Sequence, residues 1–182
     1  TTVIASNTVT VTVTNKKQTG NIKIEKKDAD SNAAMQGISF RIKKQNSGYV
    51  VGMKSDGSAI KTATGTVKFD NMKTTNNASE ATTFVTDEQG LIQIYNILVG
   101  SYEIIEISNP GYGYTVLPKN VTVKVTASNT VTTTVKNEKQ TGNLKIEKKD
   151  TDSNVKIQGV SFRIKKAQDS TYVIGMKNDA SG

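Results

Sequence analysis

The sequence predicts an all-β protein built as Ig-like β-sandwich repeats in tandem. Three observations predict it. Thr, Val and Ile are abundant, and β-branched side chains favour strands. Short runs of alternating apolar and polar residues recur between Gly, Asn, Asp and Ser turn signals. The chain also repeats itself: TGNIKIEKKD at 19–28 returns as TGNLKIEKKD at 141–150.

The repeat defines the organisation. Gly20 and Gly142 set a period of 122 residues. Gly37-Ile-Ser-Phe40-Arg-Ile-Lys-Lys44 returns as Gly159-Val-Ser-Phe162-Arg-Ile-Lys-Lys166, Ala5-Ser-Asn-Thr-Val9 returns as Ala127-Ser-Asn-Thr-Val131, and Asn15 falls on Asn137. Residues 18–139 therefore read as one complete unit. Residues 1–17 read as the last strands of a preceding unit, and 140–182 as the first strands of a following one. The linker NEKQTG at 137–142 is too short for free tumbling, so a stiff rod is expected.

Within the unit, strands are predicted near 20–27, 37–44, 48–54, 82–86, 91–97, 100–108, 120–127 and 129–137. Residues 55–81, rich in Asn, Ser, Thr and Gly, are predicted as a long excursion with one or two edge strands around Val67 to Met72. Antiparallel strands without helices point to a sandwich.

Composition excludes several functions. Only 35% of the chain is hydrophobic and 5% aromatic, so the core is thin for 182 residues. With no Cys and no His, disulfides, the common zinc sites and Cys–His or Ser–His–Asp catalysis are ruled out. A secreted chain of this kind needs another way to toughen itself. The net charge of +8 comes from Lys spread over alternating strand positions, as on a solvated face, with no nucleic-acid motif beside it. No apolar run approaches a membrane span and no signal peptide opens the chain.

Side chains alternate faces along a strand, and this parity turns three polar residues inward. Ile22 and Ile24 share their face with Lys26. Val131, Thr133 and Val135 share theirs with Asn137, as Val9, Val11 and Val13 do with Asn15. Tyr102 and Ile104 share theirs with Glu106, although Ile105 and Ile107 make the opposite face apolar too. A buried Lys loses its proton and a buried Glu keeps one, because desolvation disfavours charge. A neutral Lys26 amine could attack the Asn137 carboxamide while Glu106 shuttles protons, with folding supplying the proximity. Parity alone leaves a Lys–Glu ion pair, or a Lys that snorkels outward, standing beside this reading.

The same residues lie in a pattern that resembles the Cna B-type (SpaA-like, prealbumin-like) repeats of Gram-positive surface proteins and pilins. Gly20-x-Ile22-x-Ile24-x-Lys26-x-Asp28 is similar to the family's first strand and Gly37-x-x-Phe40-x-Ile42 to its second. Thr86-Asp87-x-x-Gly90-x-Ile92-x-Ile94-x-x-Ile97-x-x-Gly100-x-Tyr102-x-Ile104-x-Glu106 resembles its most diagnostic stretch. Pro110 to Tyr114 resembles the following turn, with Asn109 where Ala is usual, and Val135-x-Asn137 the closing strand. The resemblance covers nearly all of 18–139; the long 55–81 segment departs from it.

The resemblance implies a prealbumin-like sandwich with an autocatalytic Lys26–Asn137 isopeptide bond and Glu106 as catalytic acid. It implies a structural stalk or filament module on a bacterial surface, with no outside substrate, cofactor or metal. Its expected partners are neighbouring repeats and other copies in lateral or head-to-tail assembly. Asn15 and Lys148 match the acceptor and amine positions of neighbouring, incomplete units. Alternative readings are a ligand-binding adhesin domain facing a host or matrix partner, and a pilin polymerised by a sortase through Lys119 in Leu117-Pro-Lys119-Asn120.

Other motifs read as structural. Asp28-Ala-Asp30-Ser-Asn32 resembles the start of a calcium loop, but Ala33 and Ser39 stand where Gly and Glu are required, so a polar turn is expected. Met35, Met53 and Met72 read as gap-fillers, and Tyr112 and Tyr114 as packing over their turn.

Overall fold

A computed structural model describes residues 5, 8–108, 113–114, 120–166 and 171–174. It divides into two compact units, Thr1–Thr141 and Gly142–Gly182.

Among the described residues, the first unit is a sandwich of eleven strands. They are β1 (Thr19–Asp28), β2 (Ser39–Lys44), β3 (Gly48–Met53), β4 (Thr62–Thr64), β5 (Thr66–Lys68), β6 (Asn71–Thr75), β7 (Thr83–Val85), β8 (Leu91–Leu98), β9 (Gly100–Glu106), β10 (Val121–Val125) and β11 (Thr130–Asn137), with one 3₁₀ turn at Ala78–Glu80. One sheet runs β11-β1-β8-β5 and the other β10-β9-β2-β3-β6, with β7 pairing β2 and β4. The all-β sandwich is as the sequence predicts.

The predicted alternation is present in β1, where every second residue from Gly20 to Asp28 is buried. Ile22, Ile24, Phe40, Ile42, Phe69, Phe84, Ile92, Ile94, Ile97, Tyr102 and Ile104 fill the space between the sheets. Gly52 lets β3 lie against Phe69: a Cβ there would stand 2.2 Å from the ring.

Two features differ from the sequence reading. Pairing is not wholly antiparallel, since β1 lies parallel to β11, β4 to β7 and β5 to β8. The alternation of side chains is the same in either direction, so it holds no record of strand polarity. The 55–81 excursion is also more ordered than expected. It contributes β5 to the edge of one sheet, β6 to the edge of the other, and β4 beside β7.

Residues 8–18 form no strand, and Val11 and Val13 are exposed. In the second unit, residues 142–148 form no strand, and Leu144 and Phe162 are exposed. The expected strands are not formed among the described residues of these flanks; their counterparts β1 and β11 are held by partners distant in sequence. The second unit does rebuild one local feature. Asp150 accepts from Asp152 N, Ser153 N and Ser153 Oγ, as Asp28 accepts from Asp30 N, Ser31 N and Ser31 Oγ.

Candidate functional site

Lys26 sits near the end of β1, the strand between β11 and β8, and its side chain is fully buried. Its backbone is held twice. Its N–H donates to Gly90 O at 2.8 Å, and its carbonyl accepts from Met35 N at 3.0 Å. Gly90 has φ +70°, and a Cβ there would lie 2.6 Å from the Lys26 carbonyl oxygen, so this approach needs glycine. Lys26 Nζ donates to Met35 Sδ at 3.4 Å and to Lys27 O at 3.5 Å.

Asn137 ends β11 and is 1% exposed. Glu106 ends β9 in the opposite sheet, in register with Phe40 of β2, and is 9% exposed. Asn137 Nδ2 donates to Glu106 Oε1 across the sandwich at 2.9 Å. Glu106 Oε2 is buried without a hydrogen-bond partner among the described residues. Burial pushes the Lys26 amine below the usual lysine range, against the opposing pull of Glu106 and Asp28. Burial pushes the Glu106 carboxyl up, against its bond from Asn137 and the charge of Lys26. Both shifts favour the uncharged forms. An uncharged amine, a primary carboxamide and a carboxylic acid, all buried, are the components of an amide exchange that releases ammonia.

Of the residues singled out by parity, the structure brings Lys26, Asn137 and Glu106 into the interior. Asn15 and Lys148 are exposed and do not join the buried group. Lys119, Pro110 and Tyr112 lie outside the described residues. Met72 is buried, with its sulfur near Leu98 N and Tyr102 Oη, whereas Met53 is half-buried.

A family model for the SpaA prealbumin-like fold domain matches residues 20–139. The chain belongs to the SpaA prealbumin-like domain family. Solved structures share the fold of this SpaA-type chain. The group B streptococcus pilus 2b backbone protein is similar with a TM-score of 0.51 and 24% identity, over 71% of this chain and 43% of that one. The shaft pilin SpaA from Lactobacillus rhamnosus GG gives 0.57 and 22%, over 71% and 50%. The Bacillus anthracis TIE protein gives 0.55 and 21%, over 86% and 23%. The SpaA-type chain thus spans half or less of the length of these proteins. No curated protein sequence matches it.

The SpaA-type domain surrounds its buried group with residues that the sequence reading gave no role in the site. Asp28 is 3% exposed. It accepts from Tyr114 Oη at 2.6 Å and pairs with Lys139 Nζ at 3.4 Å. The bond from the Ser31 backbone N–H first, then those from Tyr114 and the Ser31 hydroxyl and the charge of Lys139, hold its carboxyl well below the usual carboxylate range. Lys139 also lies over the Tyr114 ring, and Gln140 N donates to Gly113 O, which ties the segment after Asn137 to the domain. Parity offered a signal, since Asp28 continues the inward row of Ile22, Ile24 and Lys26. Tyr114 is a partner of this buried carboxylate as well as a turn residue. Met35, read as a gap-filler, and Thr86 carried no periodic signal. Thr86 Oγ1 accepts from Ile38 N at 2.9 Å and donates to Met35 O at 2.7 Å.

Proposed function

We propose that residues 18–139 form a structural module of a pilus shaft or cell-surface stalk, closed on itself by an amide bond between Lys26 and Asn137. The observation that carries this reading is the burial of Lys26, Asn137 and Glu106, with Glu106 bonded to the nitrogen that would depart.

In the reaction, the neutral Lys26 amine adds to Cγ of Asn137 and a C–N bond forms. The excess proton of the new tetrahedral centre passes to Nδ2 by way of the Glu106 carboxyl. The Cγ–Nδ2 bond then breaks, ammonia leaves, and Glu106 recovers its proton. The net change is one amine plus one primary amide giving one secondary amide and ammonia. No oxidant or cofactor takes part. Each chain reacts once, so the domain turns over no outside substrate.

The shaft and backbone pilins among the similar folds support a load-bearing role at a bacterial surface. The bond would join the first and last strands, so tension would pass from β1 to β11 without stretching the chain between them. Residues 1–17 and 140–182 belong, on this reading, to neighbouring repeats.

Intact mass spectrometry of the full chain tests the proposal. The folded protein should weigh one ammonia less than its sequence, and a proteolytic fragment should contain both Lys26 and Asn137. Lys26→Ala, Asn137→Ala and Glu106→Ala should each restore the full mass. A well-folded unsubstituted chain of full mass would refute the bond and leave the fold untouched.

A further inference from the structure

The chemistry above needs Lys26 to be neutral and its lone pair to be free. An ammonium has three N–H bonds to place, and a neutral amine has two. Among the described residues, Nζ has two acceptors: the Lys27 carbonyl at 3.5 Å and the Met35 thioether at 3.4 Å. A thioether is a weak acceptor and stabilises a cation far less than an oxygen would.

Met35 is firmly placed over the amine. Its N–H donates to Lys26 O at 3.0 Å, and its carbonyl accepts from Thr86 Oγ1 at 2.7 Å. The bare α-carbon of Gly90 makes room for this approach, since a Cβ there would lie 3.0 Å from Met35 N. The 122-residue period puts Ile157 at the equivalent place in the following repeat. An apolar residue therefore stands at this position of both repeats, and the sulfur acceptor is particular to this one.

We propose that Met35 is a positioning residue for the crosslinking step: with the Lys27 carbonyl it occupies both N–H bonds of the neutral Lys26 amine and leaves the lone pair for Asn137. This role rests on the crosslinking reading above. Among the described residues, the other ionisable groups around the amine are Glu106 from β9 and Asp28 from its own strand, with Tyr114 and Lys139 beyond Asp28. None of these changes when Met35 is replaced.

The test follows ammonia loss in full chains made by cell-free synthesis and quenched in denaturant at intervals, over a range of pH. Met35→Leu and Met35→Ile keep the apolar cover and remove the acceptor. Both should react several-fold more slowly, with an unchanged pH midpoint. Met35→Gln puts an amide oxygen at the amine and should hold its proton. Its acid limb should move up by about one pH unit, which is about tenfold in rate along that limb.

The same substitutions in Glu106→Ala, which cannot crosslink, separate positioning from packing. There the unfolding midpoints should agree, and Met35→Gln should raise the Lys26 titration followed by NMR. Equal rates in all variants at every pH would overturn the role of Met35 and leave the crosslink standing. A slow Met35→Leu that is equally destabilised in Glu106→Ala, with Lys26 titration unmoved in Met35→Gln, would also overturn it. An unsubstituted chain that loses no ammonia would remove both the bond and the role.

Discussion

Lys26 and Asn137 stand diagonally on neighbouring parallel strands: Lys26 is in register with Val135, and Asn137 with Asp28. Two residues along a strand and one strand across separate such Cα atoms by roughly 8 Å. That is within reach of an extended lysine joined to an asparagine. The even offset also keeps both side chains on the inner face. Asp28, directly opposite Asn137, is instead drawn to Ser31, Tyr114 and Lys139.

Glu106→Gln preserves an oxygen to accept from Asn137 Nδ2 but has no acidic proton to relay. The variant should fold and lose ammonia about 10²–10⁴-fold more slowly, as read from the mass time course. Its unfolding in denaturant should then report the value of the bond. Closing the loop from Lys26 to Asn137 stabilises by about 4–5 kcal/mol in the chain-entropy treatment of crosslinks. Pulled from its ends, the uncrosslinked variant should lengthen by roughly 350–400 Å more than the wild type.

The rate of crosslinking should be bell-shaped in pH. The reactive pair is neutral Lys26 with protonated Glu106. Falling pH adds a proton to Lys26, whose acid limb lies below the ordinary lysine range because burial lowers its pKa. Rising pH removes the proton from Glu106, whose alkaline limb lies above the ordinary carboxylate range because burial raises its pKa. The two limbs belong to the coupled pair and not to either residue alone. A rate that climbs without limit up to pH 10 would show that Glu106 has no proton-relay role.

Gly52→Ala should destabilise the Glu106→Gln chain by about 1–3 kcal/mol, because the added methyl meets the Phe69 ring between the sheets. Thr86→Val should cost about 1–3 kcal/mol, since it strands the Ile38 N–H and the Met35 carbonyl in the interior. Urea unfolding measures both, and a midpoint unchanged by Thr86→Val would mean that these groups find other partners.

The ties around Asp28 should resist mild acid and fail in alkali. The Asp28 pKa is depressed, so its contribution is present above its ordinary value of 3.8 and is lost only as pH falls through the lower folded value. Those of Tyr114 and Lys139 are raised from 10.0 and 10.5, so their contributions are complete below those values and are lost as pH rises through the folded ones. Hydrogen exchange at the Gln140 amide, which donates to Gly113 O, should stay protected across the neutral range. Tyr114→Phe should weaken that protection at every pH.

Much of the candidate site was legible from alternation. TGNIKIEKKD turns Lys26 inward with Ile22 and Ile24, and VTTTVKN turns Asn137 inward with Val135. Glu106 was less legible, since Ile105 and Ile107 gave the other face of its strand an equal apolar claim. Packing decided it: Ile104 is 1% exposed and Ile107 is 40% exposed. The order within 55–81 was illegible because β4, β5 and β6 are short and borrow their partners from β7, β8 and β3.

The repeat and the alternation by themselves determined the sandwich class and the inward face of its first and last strands. Side-chain direction along a strand is a local property, so neighbouring residues suffice to reveal it. Only the tertiary structure decided that β1 lies parallel to β11, that Glu106 reaches Asn137 from the facing sheet, and that Met35, its carbonyl held by Thr86, meets the Lys26 amine. Those relationships join residues far apart in the chain, and they are selected by which surfaces pack together.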